Sequence, residues 1–79
     1  MESTAIINRV SESIASLARI IQGCLYDIAI DQCEYIFQQI LAYSHLTEDV
    51  ACLQQLVMLE SHVEAILDGL LDGSILSPQ

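Results

Sequence analysis

Apolar residues recur along the first third of the chain at helical intervals. Val10, Ile14, Leu17, Ile21, Cys24 and Ile28 stand 4, 3, 4, 3 and 4 residues apart, with Ile6 one step earlier. Cys52, Leu56, Leu59, Val63, Ile66 and Leu70 repeat those intervals in the last third. Steps of three and four return a side chain to one face of an α-helix, so both thirds predict a long helix with a heptad-like seam. Between them Cys33, Ile36, Ile40 and Tyr43 form a shorter seam, thickened by Phe37 and Leu41. A strand would need apolar and polar residues to alternate, and no stretch does so for more than a few residues. The expected fold class is all-α: a small antiparallel helical bundle of two long helices and one short one.

Phase and capping residues set the expected boundaries. At about 100° per residue, the stripe centres of the first and second segments differ by roughly 125°, so one straight helix cannot bury both. The break is expected near Asp31, which would cap a new helix with Glu34 three positions on as a capping-box partner. Thr47 is the next expected N-cap, with Glu48 and Asp49 in the first turn, where the helix dipole favours negative charge. Gly73 should end that helix, and Asp68-Gly69 also reads as a helix end. The predicted helices run over 3–29, 32–44 and 48–72, and Pro78 marks a loose tail over about 74–79. Gly23 sits awkwardly in the first helix, where it costs about 1 kcal/mol against Ala. Tyr26 and Ile30 also fall off that helix's stripe. A kink near Gly23, or an earlier start for the second helix, would relieve both problems.

Charge narrows the partners. Eleven acidic residues face two basic ones, Arg9 and Arg19, for a formal net charge of −9 in a chain that is 53% hydrophobic. Nucleic acid and anionic membrane surfaces would repel such a chain, which leaves another protein or a second copy as the expected partner. The 79 residues form a single expected domain. A domain this small buries only about 60% of the surface its unfolded chain exposes, which favours association, and a homodimer is one expected form. Cys24, Cys33 and Cys52 are odd in number and lack a C-x-x-C spacing, so all three are expected as reduced, buried thiols. No secretory signal pattern is present, and no uninterrupted apolar run approaches the roughly 18 residues of a membrane span. A soluble, cytoplasmic protein is expected.

Few residues carry candidate chemistry. Glu60, Glu64, Asp68 and Asp72 form an i, i+4 row on the last helix with no Lys or Arg nearby in sequence. Such a row keeps an apolar protein soluble or serves as a docking strip for a basic partner. Val50, Val57 and Met58 lie off the buried stripe of the same helix. With a middle helix half as long as its neighbours, they predict an apolar groove or dimer seam, unless the first helix or Ile75 and Leu76 of the tail cover them. The expected partner-binding residues are Val50, Val57, Met58, Glu60, Glu64 and Asp68. His45 and His62 lack the i, i+4 spacing of a helical metal site, and no metal or other cofactor is expected. There is no phosphate-binding loop, nucleophile elbow or lysine, so no enzyme activity and no small-molecule substrate are expected.

The stretch Gly23-Cys24-Leu25-Tyr26-Asp27-Ile28 places an aromatic and an acidic residue after a glycine at the opening of a helix. His45-Leu46-Thr47-Glu48-Asp49-Val50 precedes Leu56, Leu59, Glu60 and Val63. Over about residues 14–70, these segments resemble the flagellar export chaperone family that guards the filament-cap protein. Tyr26 stands where that family more often has Trp, and the arginines common on its second helix are lacking, so its partner contacts do not carry over. The resemblance implies a cytoplasmic helical chaperone of type III secretion that masks an export substrate. The expected function is therefore a small acidic chaperone or adaptor covering an apolar helix of a partner. The alternatives are an acidic inhibitor or immunity-type protein that fills a basic site by charge mimicry, and a homodimeric regulatory protein.

Overall fold

The computed structural model describes residues 2–73, and the tail expected over about 74–79 lies outside them. The chain folds into three helices, α1 (Ser3–Gln22), α2 (Tyr26–Leu46) and α3 (Val50–Asp72), each packed against both others. Two short connections reverse the chain. Ser3 Oγ donates to Asp49 Oδ2 at 2.7 Å, so the N-termini of α1 and α3 meet and α2 runs back antiparallel to both. The all-α bundle agrees with the helical spacing of the seams.

The lengths do not agree. The helices have 20, 21 and 23 residues, so there is no short middle helix between two long ones. The break falls at residues 23–25 rather than near Asp31, which lies inside α2. Ala29 explains the shift: it is fully buried and starts the α2 seam, which then runs through Cys33, Ile36 and Ile40 at steps of 4, 3 and 4. Tyr26 and Ile30, which do not fit the α1 stripe, lie on α2 and pack against the core. Cys24 and Ile28 leave the first seam and are exposed, as is Leu41 beside the second. Ile6, Val10 and Leu17 of α1 and Cys52, Leu56, Val63 and Leu70 of α3 complete the core, with Ile14, Ile21, Leu59 and Ile66 packed around it.

The α1–α2 turn satisfies the last carbonyls of α1 with a Schellman-type pair of bonds. The Leu25 N–H reaches back to the Ile20 carbonyl at 3.2 Å, and the Cys24 N–H to that of Ile21 at 2.9 Å. This motif places the residue before its last in the left-handed region, and here that residue is Cys24, at φ 61. Gly23, one position earlier, keeps an ordinary φ of −82. Cys24 is therefore exposed in a turn, not buried, while Cys33 and Cys52 are buried as expected and all three are free.

The cap of α3 also shifts. Asp49, not Thr47, is the N-cap, and its Oδ1 accepts from the Ala51 N–H at 3.0 Å. Thr47 instead ends α2, and its Oγ1 accepts from the Asp49 N–H at 3.2 Å. No acidic residue then occupies the first turn of α3. At the far end Gly73 adopts φ 82 and closes the helix, whereas Gly69 is buried inside it rather than ending it. By length and composition, α3 is also apolar enough to cross a membrane, with a mean hydropathy of 1.2 over its best window. Counting uninterrupted apolar residues misses this, because Gln54, Gln55, Glu60, Ser61, His62 and Glu64 break the run without lowering the average far. In the bundle α3 behaves as an amphipathic helix, with one stripe in the core and its acids facing outward.

Candidate partner-binding surface

The buried stripe of α3 runs through Cys52, Leu56, Val63 and Leu70. On the opposite side, at about 100° per residue, Val50, Val57, Glu64 and Asp68 fall within about 40° of one another. Those four candidates therefore share one outward face, with Met58 about 80° to one side of Val50 and Glu60 about 80° to the other, and the apolar and acidic residues follow one another along the helix rather than forming a core with a rim. Val50, Leu53, Gln54, Val57 and Met58 line a shallow apolar hollow on the first half of the helix. Glu60, Glu64 and Asp68 follow on the second half, where they line a separate hollow with Phe37 of α2 and Leu67. Each half runs about 12 Å at 1.5 Å per residue.

Val50 is 66% exposed, Val57 61% and Met58 71%, so neither α1 nor α2 covers them. Cover by Ile75 and Leu76 would involve residues outside the described range. The expected groove between two long helices is not what exposes them. Because α2 spans the bundle, it covers the α3 stripe along its length, and the apolar hollow lies on the outer face of one helix. Leu53 belongs to it, three residues after Val50 and four before Val57. That spacing was present in the sequence, but Leu53 reads equally well as an edge of the core.

The acidic half is open on one side and backed by an aromatic ring on the other. Glu60 is half-buried beside Phe37, while Glu64 and Asp68 are exposed. The only Lys or Arg residues, Arg9 and Arg19, both lie on α1. Nothing on α2 or α3 brings a fixed positive charge to the row. Asp72 stands one turn past Asp68 and is exposed.

The other surfaces differ in character. Between α1 and α2, Ser13 Oγ donates to Gln39 Oε1 at 2.9 Å and Gln32 Nε2 donates to the Ser13 carbonyl at 3.0 Å. This polar lock ties α1 to α2 through residues that read in the sequence as ordinary polar positions. At the far end, exposed Leu25 and Ile28 form a smaller hollow with Cys24, Tyr26 and Asp27. The Cys24–Tyr26 hydrogen bond, helped by partial desolvation and the Cys24 charge, raises the Tyr26 pKa. Burial, and secondarily Glu34, pushes the Cys33 thiol up, away from the reactive thiolate. Asp49 is held below the usual carboxylate range, first by Ser3 and then by backbone N–H groups of Cys52 and Ala51.

Among the described residues, no three of His, Cys, Asp and Glu come together as a metal site, and no buried side chain is polar or charged. The architecture is that of a small three-helix bundle with one two-part outer face. No protein-family model, curated protein or solved structure compared with the chain matches it.

Proposed function

We propose that the protein is a non-enzymatic interaction module, a small acidic cytoplasmic chaperone or adaptor that covers an apolar helix of a partner such as a secretion substrate. The observation that carries this reading is the exposed apolar strip of Val50, Val57 and Met58 on α3. Apolar faces of amphipathic helices bind such strips through anchors at i, i+3, i+4 and i+7.

A second copy of the chain is a poor occupant. The apolar strip has exposed Glu48 just before it and Glu60 just after it. Pairing two α3 helices antiparallel, centred on Gln54, sets Glu60 against Glu48, and pairing them parallel sets Glu60 against Glu60. Each copy also carries a net charge of −9 with no lysine to offset it. Like charges placed face to face suppress an association that apolar contact would otherwise permit. Charge mimicry of a nucleic acid would use the acidic half alone and leave the apolar half in water, so it explains less of the surface.

The test is a photo-crosslinking residue at position 57 in the native host, with position 11, exposed on α1, as the control. The expected result is a covalent adduct with a different protein at 57 but not at 11, lost when Met58→Asp is added. No adduct at 57, or adducts only between copies of the chain, would overturn the reading.

A further inference from the structure

We infer that the outer face of α3 takes an amphipathic helix that lies antiparallel to it, with cations in its N-terminal half and apolar anchors in its C-terminal half. This rests on the interaction-module reading above and names the partner's chemistry. The two halves of the face lie end to end on one straight helix, so a single partner helix of about 18 residues, about 27 Å long, spans both. The acidic half has no Lys or Arg on α2 or α3 to balance it, and Glu60 is held half-buried against Phe37. A cation placed there finds carboxylates one turn apart at Glu60, Glu64 and Asp68, with the Phe37 ring beside them to receive the stem of an arginine. The order of the halves sets the direction. The acids lie toward the C-terminus of α3, which carries the negative end of the helix dipole and has no basic residue in its last turn. An antiparallel partner brings the positive end of its own dipole and its cations to that end, and its apolar half to Val50, Leu53, Val57 and Met58.

Three peptides of about 18 residues, each built from Leu, Ala and one kind of charged residue, serve as probes for the full chain. One carries Arg in its N-terminal half and its Leu anchors in the C-terminal half, the second reverses that order, and the third replaces Arg with Glu. Binding is read by fluorescence anisotropy at low and high salt. The basic-first peptide should bind about tenfold more tightly than the reversed one at low salt, with the preference shrinking as salt screens the acidic half. The Glu peptide should not bind. Glu60→Gln with Glu64→Gln should abolish the preference between the first two while leaving the circular dichroism unchanged, and Val57→Asp should weaken both. Equal affinity for both orders, or no binding of any peptide, would overturn the inference. So would binding of the chain to neutral phosphatidylcholine vesicles that Val57→Asp removes, because the face would then be a membrane contact. The crosslink at position 57 keeps the two proposals separate: a captured partner without a basic helix defeats this inference and leaves the interaction-module reading standing.

Discussion

Moving one glycine by one position tests how α1 ends. Cys24 holds φ 61, a left-handed conformation in which an L side chain costs roughly 1–2 kcal/mol that glycine avoids. Gly23 spends its freedom at φ −82, where any residue fits. A Cβ added to Gly23 would meet the Ile20 carbonyl oxygen at 3.5 Å and that of Arg19 at 3.6 Å, both ordinary contacts. Gly23→Ala should therefore stabilise the fold by about 0.4–1 kcal/mol, mainly by restricting the unfolded chain. Cys24→Gly removes the left-handed strain but loosens the unfolded chain by a similar 0.4–1 kcal/mol, for a net gain of about 0.5–1 kcal/mol.

Together the two changes should stabilise by about 1–2 kcal/mol, which for a domain of this size raises Tm by roughly 4–15 °C. The assay is urea unfolding followed by circular dichroism, with both single variants measured because adjacent residues couple. The singles carry the sharper refutation. If Gly23→Ala destabilises while Cys24→Gly is neutral, then Gly23 occupies the left-handed position. The turn would then be shifted by one residue, and the start of α2 with it.

The remaining predictions address the thiols, the cap and the core. In native protein Cys24 should react rapidly with a thiol reagent, whereas buried Cys33 and Cys52 should label only on unfolding; uniform protection of all three would contradict the exposed turn. Asp49 has its pKa lowered in the fold, so its contribution is fully present above the unfolded carboxylate value and is lost as pH falls through the lower folded one. Asp49→Asn, which keeps an N-cap oxygen, should flatten stability against pH in that acid range, and an unchanged profile would rule out the Ser3–Asp49 latch. Val63→Ala, at a fully buried position, should cost on the order of 1–3 kcal/mol, while Val57→Ser on the outer face should stay within about 0.5 kcal/mol. Similar losses for the two would mean that α3 is rotated from the described orientation.

The seams of α1 and α3 were legible because each runs unbroken at steps of three and four, and Leu17 and Val63 are indeed fully buried. The start of α2 was not, for a physical reason. Cys24 and Ile28 continue the α1 spacing beyond the helix end, so periodicity alone extended α1 through the turn. Gly23 pointed to the right place, but the residue that actually takes the left-handed conformation carries a side chain, which no propensity rule favours. Thr47 and Asp49 are equally good caps by residue type, and only the bonds to Ala51 and Ser3 distinguish them. On the candidate surface, each exposed apolar residue could be named from its phase. That Leu53 joins them, and that Phe37 backs the acids, depends on how α2 sits against α3.

The apolar half of the outer face is too small to hold a partner by itself. Fully burying a Val or Met side chain stabilises by about 1.5–3 kcal/mol. Val50, Val57 and Met58 are each about two-thirds exposed, so covering all three gains about 3–6 kcal/mol. Association costs roughly 4–15 kcal/mol in lost translational and rotational freedom, which exceeds that gain over most of its range. Three apolar side chains thus explain a sticky surface but not a specific complex. The partner's matching apolar surface adds a similar gain, and the shortfall that remains is the range that charge-assisted contacts to Glu60, Glu64 and Asp68 can supply, at about 1.5–3 kcal/mol each when partly desolvated. Affinity for the true partner should therefore fall by one to two orders of magnitude, roughly, between low and high salt, as screening removes the acidic contribution and leaves the apolar one. An affinity that holds constant with salt would mean that the acids only keep the chain soluble. The partner would then have to cover more apolar surface than Val50, Leu53, Val57 and Met58 provide.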